Sequence, residues 1–170
     1  MGVLAKDEIL KLIKKGEIKI KPFKKEQVGP ASIDLHLGKK FRIFKRAKGT
    51  LSIRNGMEYQ KVTHMVEIKG KASFLILPDE LIHGITVEKV SLPPYLCGWV
   101  HGRSSLERTG LHISSGFIHP GSSNKIVVEI SNISQIPLAL TPGIKICQLI
   151  LEEVKGRAIY KGKFRFQKEP

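Results

Sequence analysis

The chain has 170 residues, 41% of them hydrophobic, which is the size of one ordinary domain with enough apolar content for a core. Lys and Arg outnumber Asp and Glu 29 to 15, a net charge of +14 that points to an anionic partner, either nucleic acid or a small polyanion such as a nucleoside triphosphate. No apolar run approaches the roughly 20 residues of a membrane span, and the N-terminal MGVLAKDEILKLIKKG is a charged amphipathic pattern unlike a signal peptide, so a cytoplasmic protein without membrane contact is expected.

In chain order, DEILKLIKKG reads as a short helix with Ile9, Leu10, Leu12 and Ile13 on its apolar face and Gly16 as its stop. Strands follow, as short apolar or alternating runs bounded by Gly, Pro, Asn or Ser: SIDLHLG, FRIFK, YQKVTHMVEI, SFLILP, HGITVEKVSL, YLCGWVHG, HISSGFI, NKIVVEISN, IPLALTP and KICQLILEEV. Pro93-Pro94, Pro120-Gly121 and Pro142-Gly143 fit the turns between them. So many strands with almost no helix predict an all-β, barrel-like or two-sheet architecture in a single domain over 1–170. Cys97 and Cys147 lie far apart in apolar company and read as buried structural thiols.

The lysines gather around the N-terminal helix and in the last sixteen residues, and solvated surface is the ordinary account of most of them. The seven Phe, three Tyr and one Trp are not interleaved with the basic residues, which disfavours a base-stacking nucleic-acid surface. His101, His112 and His119 lack a cysteine at metal-ligand spacing, and neither an H-x-E nor a P-C-x-x-C occurs, so no metal site and no zinc are expected.

Between the strands stands HGRSSLERTG, a helical turn opening directly from a strand. Its first N–H groups, two serine hydroxyls and the Arg103 fork are donors of the kind phosphate oxygens require. On helical spacing Ser104 and Arg108 share a face, as do Arg103 and Glu107. An N-capping serine with a surface Arg103–Glu107 pair is the competing reading. Glu129, in IVVEISN, has valines and isoleucines around it, a setting that raises a carboxyl pKa unless an arginine opposes it. An exposed position on a polar strand face is its plain alternative.

GRSSLERTGL, then SGFIHPG, IVVEISN and PGIKICQL, together with IKPFKKEQVGPASIDLHLG and SFLILPDELIHGITVEKVSLPPYLCGWVHGRSS before them, resemble in order and spacing the dCTP deaminase family, relatives of the trimeric dUTPases. The C-terminal YKGKFRFQ is similar to the tail that folds over the triphosphate, here residues 155–170. The resemblance implies a distorted dUTPase-like β-barrel assembled as a homotrimer with active sites between subunits. Its substrate would be a deoxynucleoside triphosphate carrying its own magnesium, and its reaction the hydrolysis of dCTP to dUTP and ammonia.

By that resemblance Glu129 shuttles protons, Ser104 positions the water, and Arg108 holds the carboxylate. Arg103, Ser105, Lys163 and Gln167 bind phosphates, Gln148 belongs to the same binding set, Tyr160 closes the tail, and the backbone of Val127 and Val128 faces the base. His119 stands where the family pattern has an Asp that meets the sugar hydroxyl and, in dUTPases, also serves water activation. The interval from Arg108 to His119 follows the dUTPase spacing, with Ser115 in place of a small apolar residue and Ser122-Ser123-Asn124 after the turn. Glu129 favours deamination, because pyrophosphate release needs no proton delivery to a base. A dUTP pyrophosphatase, alone or as a second activity, is the alternative, and a non-catalytic nucleotide- or nucleic-acid-binding barrel a third.

Overall fold

The computed structural model describes residues 2–46, 49–54 and 58–170. Helix α1 (Lys6–Lys14) has Asp7 and Glu8 in its first turn and Lys11 and Lys14 in its last, the polarity its dipole favours. It buries Ile9 and Leu12, while Leu10 and Ile13 pack from the rim. Eleven strands follow among the described residues: β1 (Lys19–Lys21), β2 (Ile33–Phe44), β3 (Thr63–Glu67), β4 (Phe74–Ile76), β5 (Leu81–Ser91), β6 (Leu96–Gly102), β7 (Leu111–Ser114), β8 (Phe117–Ile118), β9 (Ser123–Asn132), β10 (Leu138–Leu140) and β11 (Lys145–Glu153). The other helix, α2 (Ser104–Glu107), is a single turn between β6 and β7.

Nine strands form one antiparallel sheet in the order β7-β9-β5-β2-β11-β6-β8, with β1 added beside β5 and β3 beside β2, and β10 pairs with β4 as a separate ribbon. The sheet curls because its longest strands are bulged. Register shifts interrupt β2 against β5 between Leu37 and Phe41, and β11 against β2 between Lys145 and Cys147. Gly38 lies at the first of these, where a Cβ would meet the Ile85 carbonyl oxygen at 2.7 Å, so only glycine lets the two backbones approach.

Strict alternation then sorts side chains. Along β9, Ile126, Val128, Ile130 and Asn132 turn into the core and Val127, Glu129 and Ser131 turn away from it. Leu35, Leu37, Phe41, Val128, Ile130, Leu149 and Leu151 are fully buried, each contributing roughly 1.5–3 kcal/mol of hydrophobic stabilisation. Cys97 and Cys147 are free and buried, and burial pushes the Cys147 thiol up to about 12.

Several elements differ from the sequence expectation. SIDLHLG and FRIFK form one strand, because the Gly38 bulge lets β2 bend without breaking. YQKV closes a 3₁₀ turn before β3 instead of extending it. HISSGFI splits at Ser115-Gly116, since β7 pairs with β9 whereas β8 pairs with β6. Beyond β11 the chain has no strand, yet it is held: Ala158 N–H donates to the Pro94 oxygen and Tyr160 N–H to the Pro120 oxygen, both at 2.9 Å.

Candidate active site

A cavity of about 560 Å³ opens on the outward face of β9, between the β7–β8 break, the turn after β8, and the C-terminal segment. Glu129, Val127 and His119 line it together with Tyr160 and Gln167 of the tail, so five residues given a catalytic or binding role in the sequence meet there. Each is placed by a local cause. Glu129 and Val127 share one face of β9 by the two-residue strand period. His119 begins the turn His119-Pro120-Gly121-Ser122, in which Ser122 N–H donates to the His119 oxygen at 3.3 Å and Gly121 takes a positive φ of 70°. That is a type II turn, with proline and glycine at the positions it demands.

His119 stacks on Tyr160 with ring centroids 4.6 Å apart and planes 7° from parallel, and Phe117 meets it edge-on at 5.0 Å. The tail continues as a strap along β9: Ser123 N–H donates to the Arg165 oxygen at 3.3 Å and Lys125 N–H to the Gln167 oxygen at 3.1 Å. Asn124 Nδ2 binds the Phe164 oxygen at 3.1 Å. Lys163 lies in the adjoining groove beside Arg42 and Tyr59, not in the main cavity.

Glu129 is half-buried, and loss of solvent pushes its carboxyl above the ordinary value, partly opposed by its own backbone N–H. It has no salt bridge and no side-chain hydrogen bond among the described residues. A poised, unpaired carboxylate in a cavity of this size is suited to moving protons at a bound ring. Just beyond β7, Ser115 Oγ donates to the Val127 carbonyl oxygen at 3.0 Å, so a side chain and not a strand partner meets that backbone edge. Val128, whose side chain is fully buried in the core, is not among the residues lining the cavity.

The RSSLER group does not reach the cavity within one chain. Ser104 and Ser105 on α2 and Arg108 at its C-cap are exposed, and none of residues 103–108 lines it. The N-cap of α2 is Arg103, without a side-chain cap bond, so the serine-cap reading does not apply. Nor does Arg103 pair with Glu107: its Nε lies 3.4 Å from Asp34 Oδ1, whose other oxygen takes Lys145 Nζ at 2.9 Å. Gln148 on β11 sits opposite Asp34 and His101, and its Oε1 accepts from Ser32 Oγ at 3.3 Å. Arg103 and Gln148 thus belong to a second polar cluster around Asp34, a residue in SIDLHLG that sequence reasoning passed over. His83, Tyr59 and Phe164 were also missed as cavity residues; they arrive through strand pairing and tail docking, which no local pattern announces. Among the described residues there is no group of three His, Cys, Asp or Glu side chains able to hold a metal ion.

The fold is that of the dUTPase-like barrels. A 2'-deoxycytidine 5'-triphosphate deaminase from Agrobacterium tumefaciens superposes with a TM-score of 0.69 at 22% identity, covering 91% of this chain and 48% of that one. A dUTPase mutant from phage phi11 of S. aureus, described with a structural Mg(II) ion, superposes at 0.55 with 13% identity, covering 86% of this chain and 96% of that one. The chain belongs to the dCTP deaminase-like family, whose model matches residues 3–154. Among its relatives are dUMP-forming dCTP deaminases of Corynebacterium glutamicum, 37% identical over 92% of this chain and 83% of that protein, and of Aquifex aeolicus, 32% identical over 98% and 91%.

Proposed function

We propose that the protein is an enzyme that deaminates dCTP hydrolytically, with Glu129 as the group that moves the protons. The observation that carries this reading is the half-buried, unpaired carboxylate of Glu129 in the floor of the cavity. Glu129 takes a proton from water as the oxygen attacks the amino-bearing ring carbon, passes it to the ring nitrogen beside that carbon, then moves the proton of the new hydroxyl to the amino nitrogen, so that the C–N bond breaks and ammonia leaves. The uracil nucleotide gains the oxygen, and the carboxylate is regenerated. The Val127 backbone edge supplies hydrogen bonds to the base, and Tyr160 and Gln167 close the strap over the nucleotide.

Water positioning by Ser104, support of the carboxylate by Arg108, and phosphate binding by Arg103, Ser105 and Lys163 then fall to side chains that one chain keeps away from its own cavity. A homotrimer whose neighbouring copies complete each site reconciles the two clusters. Magnesium arrives with the triphosphate.

The relatives are named dUMP-forming, which favours hydrolysis of dUTP to dUMP and pyrophosphate on the same site, one step beyond the dUTP expected from the sequence. His119 in the turn, where the family pattern has Asp, favours stopping at dUTP. Incubating the protein with dCTP and magnesium and measuring ammonia, dUTP, dUMP and pyrophosphate separately decides between them. Glu129→Gln, nearly isosteric but unable to shuttle protons, is expected to lower ammonia release by about a hundredfold or more with nucleotide affinity largely kept. Unchanged turnover removes Glu129 from the chemistry.

A further inference from the structure

Across four strands runs one row of directly opposed residues: Arg42 on β2 faces His83 on β5, His83 faces Glu129 on β9, and Glu129 faces Ser114 on β7. Opposed residues in an antiparallel sheet share a face, with Cβ atoms about 4.5–5.5 Å apart. His83 and Glu129 accordingly line the same cavity. The imidazole is clamped by two ring edges, Phe44 at 5.6 Å and Tyr59 at 5.5 Å, which fix its plane.

The groups facing His83 are Arg42 from β2, Tyr59 from the 3₁₀ turn and Glu129 from β9. Arg42 is committed elsewhere: its Nε donates to the Pro170 oxygen at 2.8 Å, its Nη1 to Thr63 Oγ1 at 3.3 Å, and its guanidinium lies 5.7 Å from the Tyr59 ring centre. The Nδ1 atom of His83 is buried without a hydrogen-bond partner among the described residues. Glu129 has no side-chain partner among the described residues, its carboxylate being met only by its own backbone N–H. A buried, unpaired imidazole nitrogen thus stands in register beside a half-buried carboxylate, and a buried polar atom that stays unpaired is costly.

We propose that His83 is a positioning residue for Glu129, donating its imidazole N–H to the carboxylate and holding it at the angle from which protons pass to and from the bound base. Burial, and then the Arg42 charge, hold the His83 pKa below its ordinary value, so the imidazole is neutral at pH 7. In that form it can donate through only one nitrogen. The donated bond favours the ionised carboxylate and so offsets part of what burial does to Glu129, keeping it competent as a base to lower pH. His83 touches no reacting atom and acts through Glu129, so this inference rests on the proposed role of that residue.

The test compares His83→Leu, His83→Asn and Glu129→Gln with the unaltered protein. His83→Leu removes the donor, whereas His83→Asn keeps an amide N–H close to the position of Nδ1. For ammonia release from dCTP, His83→Leu is expected to lower kcat about tenfold with KM within about twofold, the signature of lost orientation. The acid limb of its pH profile moves to higher pH, because Glu129 protonates sooner without the donor. His83→Asn restores most of kcat and returns the limb. A wild-type kcat and limb in His83→Leu, or equal losses in Leu and Asn variants with an unmoved limb, overturns the proposal.

Glu129→Gln in parallel separates the two ideas. If it stays active, the reading of Glu129 fails; if it is inactive while His83→Leu is normal, only the role of His83 fails. A carbon-13 titration of labelled glutamate carboxyls reads the pair without turnover. Glu129 is expected to titrate at higher pH in His83→Leu than in the unaltered protein, and an identical curve refutes the bond.

Discussion

His119→Ala removes one face of the stack that fastens the C-terminal strap, and the structure isolates that contact. The backbone bonds from Tyr160 to Pro120 and from Ala158 to Pro94 do not involve the imidazole, nor does the Tyr160 hydroxyl that accepts from Phe164 N–H at 3.4 Å. The His119 oxygen that closes the turn is main chain and survives. What is lost is an aromatic pair worth about 0.5–1.5 kcal/mol beyond its area, which multiplies the open-to-closed ratio of the strap about two- to thirteenfold. Lys161, Lys163 and Arg165 lie within the strap, so trypsin reports its opening directly. Where reclosing is fast relative to cleavage, the initial rate tracks the open population. Cleavage at those three residues, followed by mass spectrometry, is therefore expected to accelerate about two- to thirteenfold in His119→Ala. Tyr160→Leu should do the same or somewhat more, because it also loses the hydroxyl contact, and the double variant should add little. Rates equal to the unaltered protein would show that the backbone bonds alone hold the strap.

Glu129→Gln is expected to melt higher than the unaltered protein near pH 8, because burial penalises the carboxylate and its folded pKa lies above the unfolded one. The advantage should shrink as pH falls through the folded-state value and vanish below about 4, where both states become protonated, and a constant difference across that range would contradict the burial argument. Asn132, fully buried, gives Nδ2 to the Ile76 and Ile136 oxygens at 3.1 and 2.8 Å and takes the Ser134 N–H and hydroxyl at 3.0 and 2.7 Å. Asn132→Ala leaves those groups unpaired and should cost about 2–4 kcal/mol, a fall in Tm of about 4–16 °C by reversible thermal denaturation; a shift under 2 °C would mean that water replaces the side chain.

The sequence by itself determined the composition of the strands and the chemistry at hand. IVVEISN is legible as a strand that carries Glu129 among apolar residues; that Glu129 turns away from Val128 and Ile130 follows once the segment is extended, because a two-residue period is a property of the extended chain and needs no partner. Pro120-Gly121 likewise dictated its turn, since proline fixes one torsion and glycine alone takes the next at no cost. The order of motifs was sufficient for the family. Which strands became neighbours was not legible. HISSGFI looks like one strand and is two, because its halves bond to opposite parts of the sheet, and His83 lies 46 residues before Glu129 yet stands beside it across a strand pair. The tertiary structure also decided that RSSLER and Glu129 occupy different places on one chain. Short-range rules fix torsions and faces, whereas the pairing of distant strands depends on how the whole sheet curls around its core, a balance of many long-range contacts that no local stretch of sequence contains.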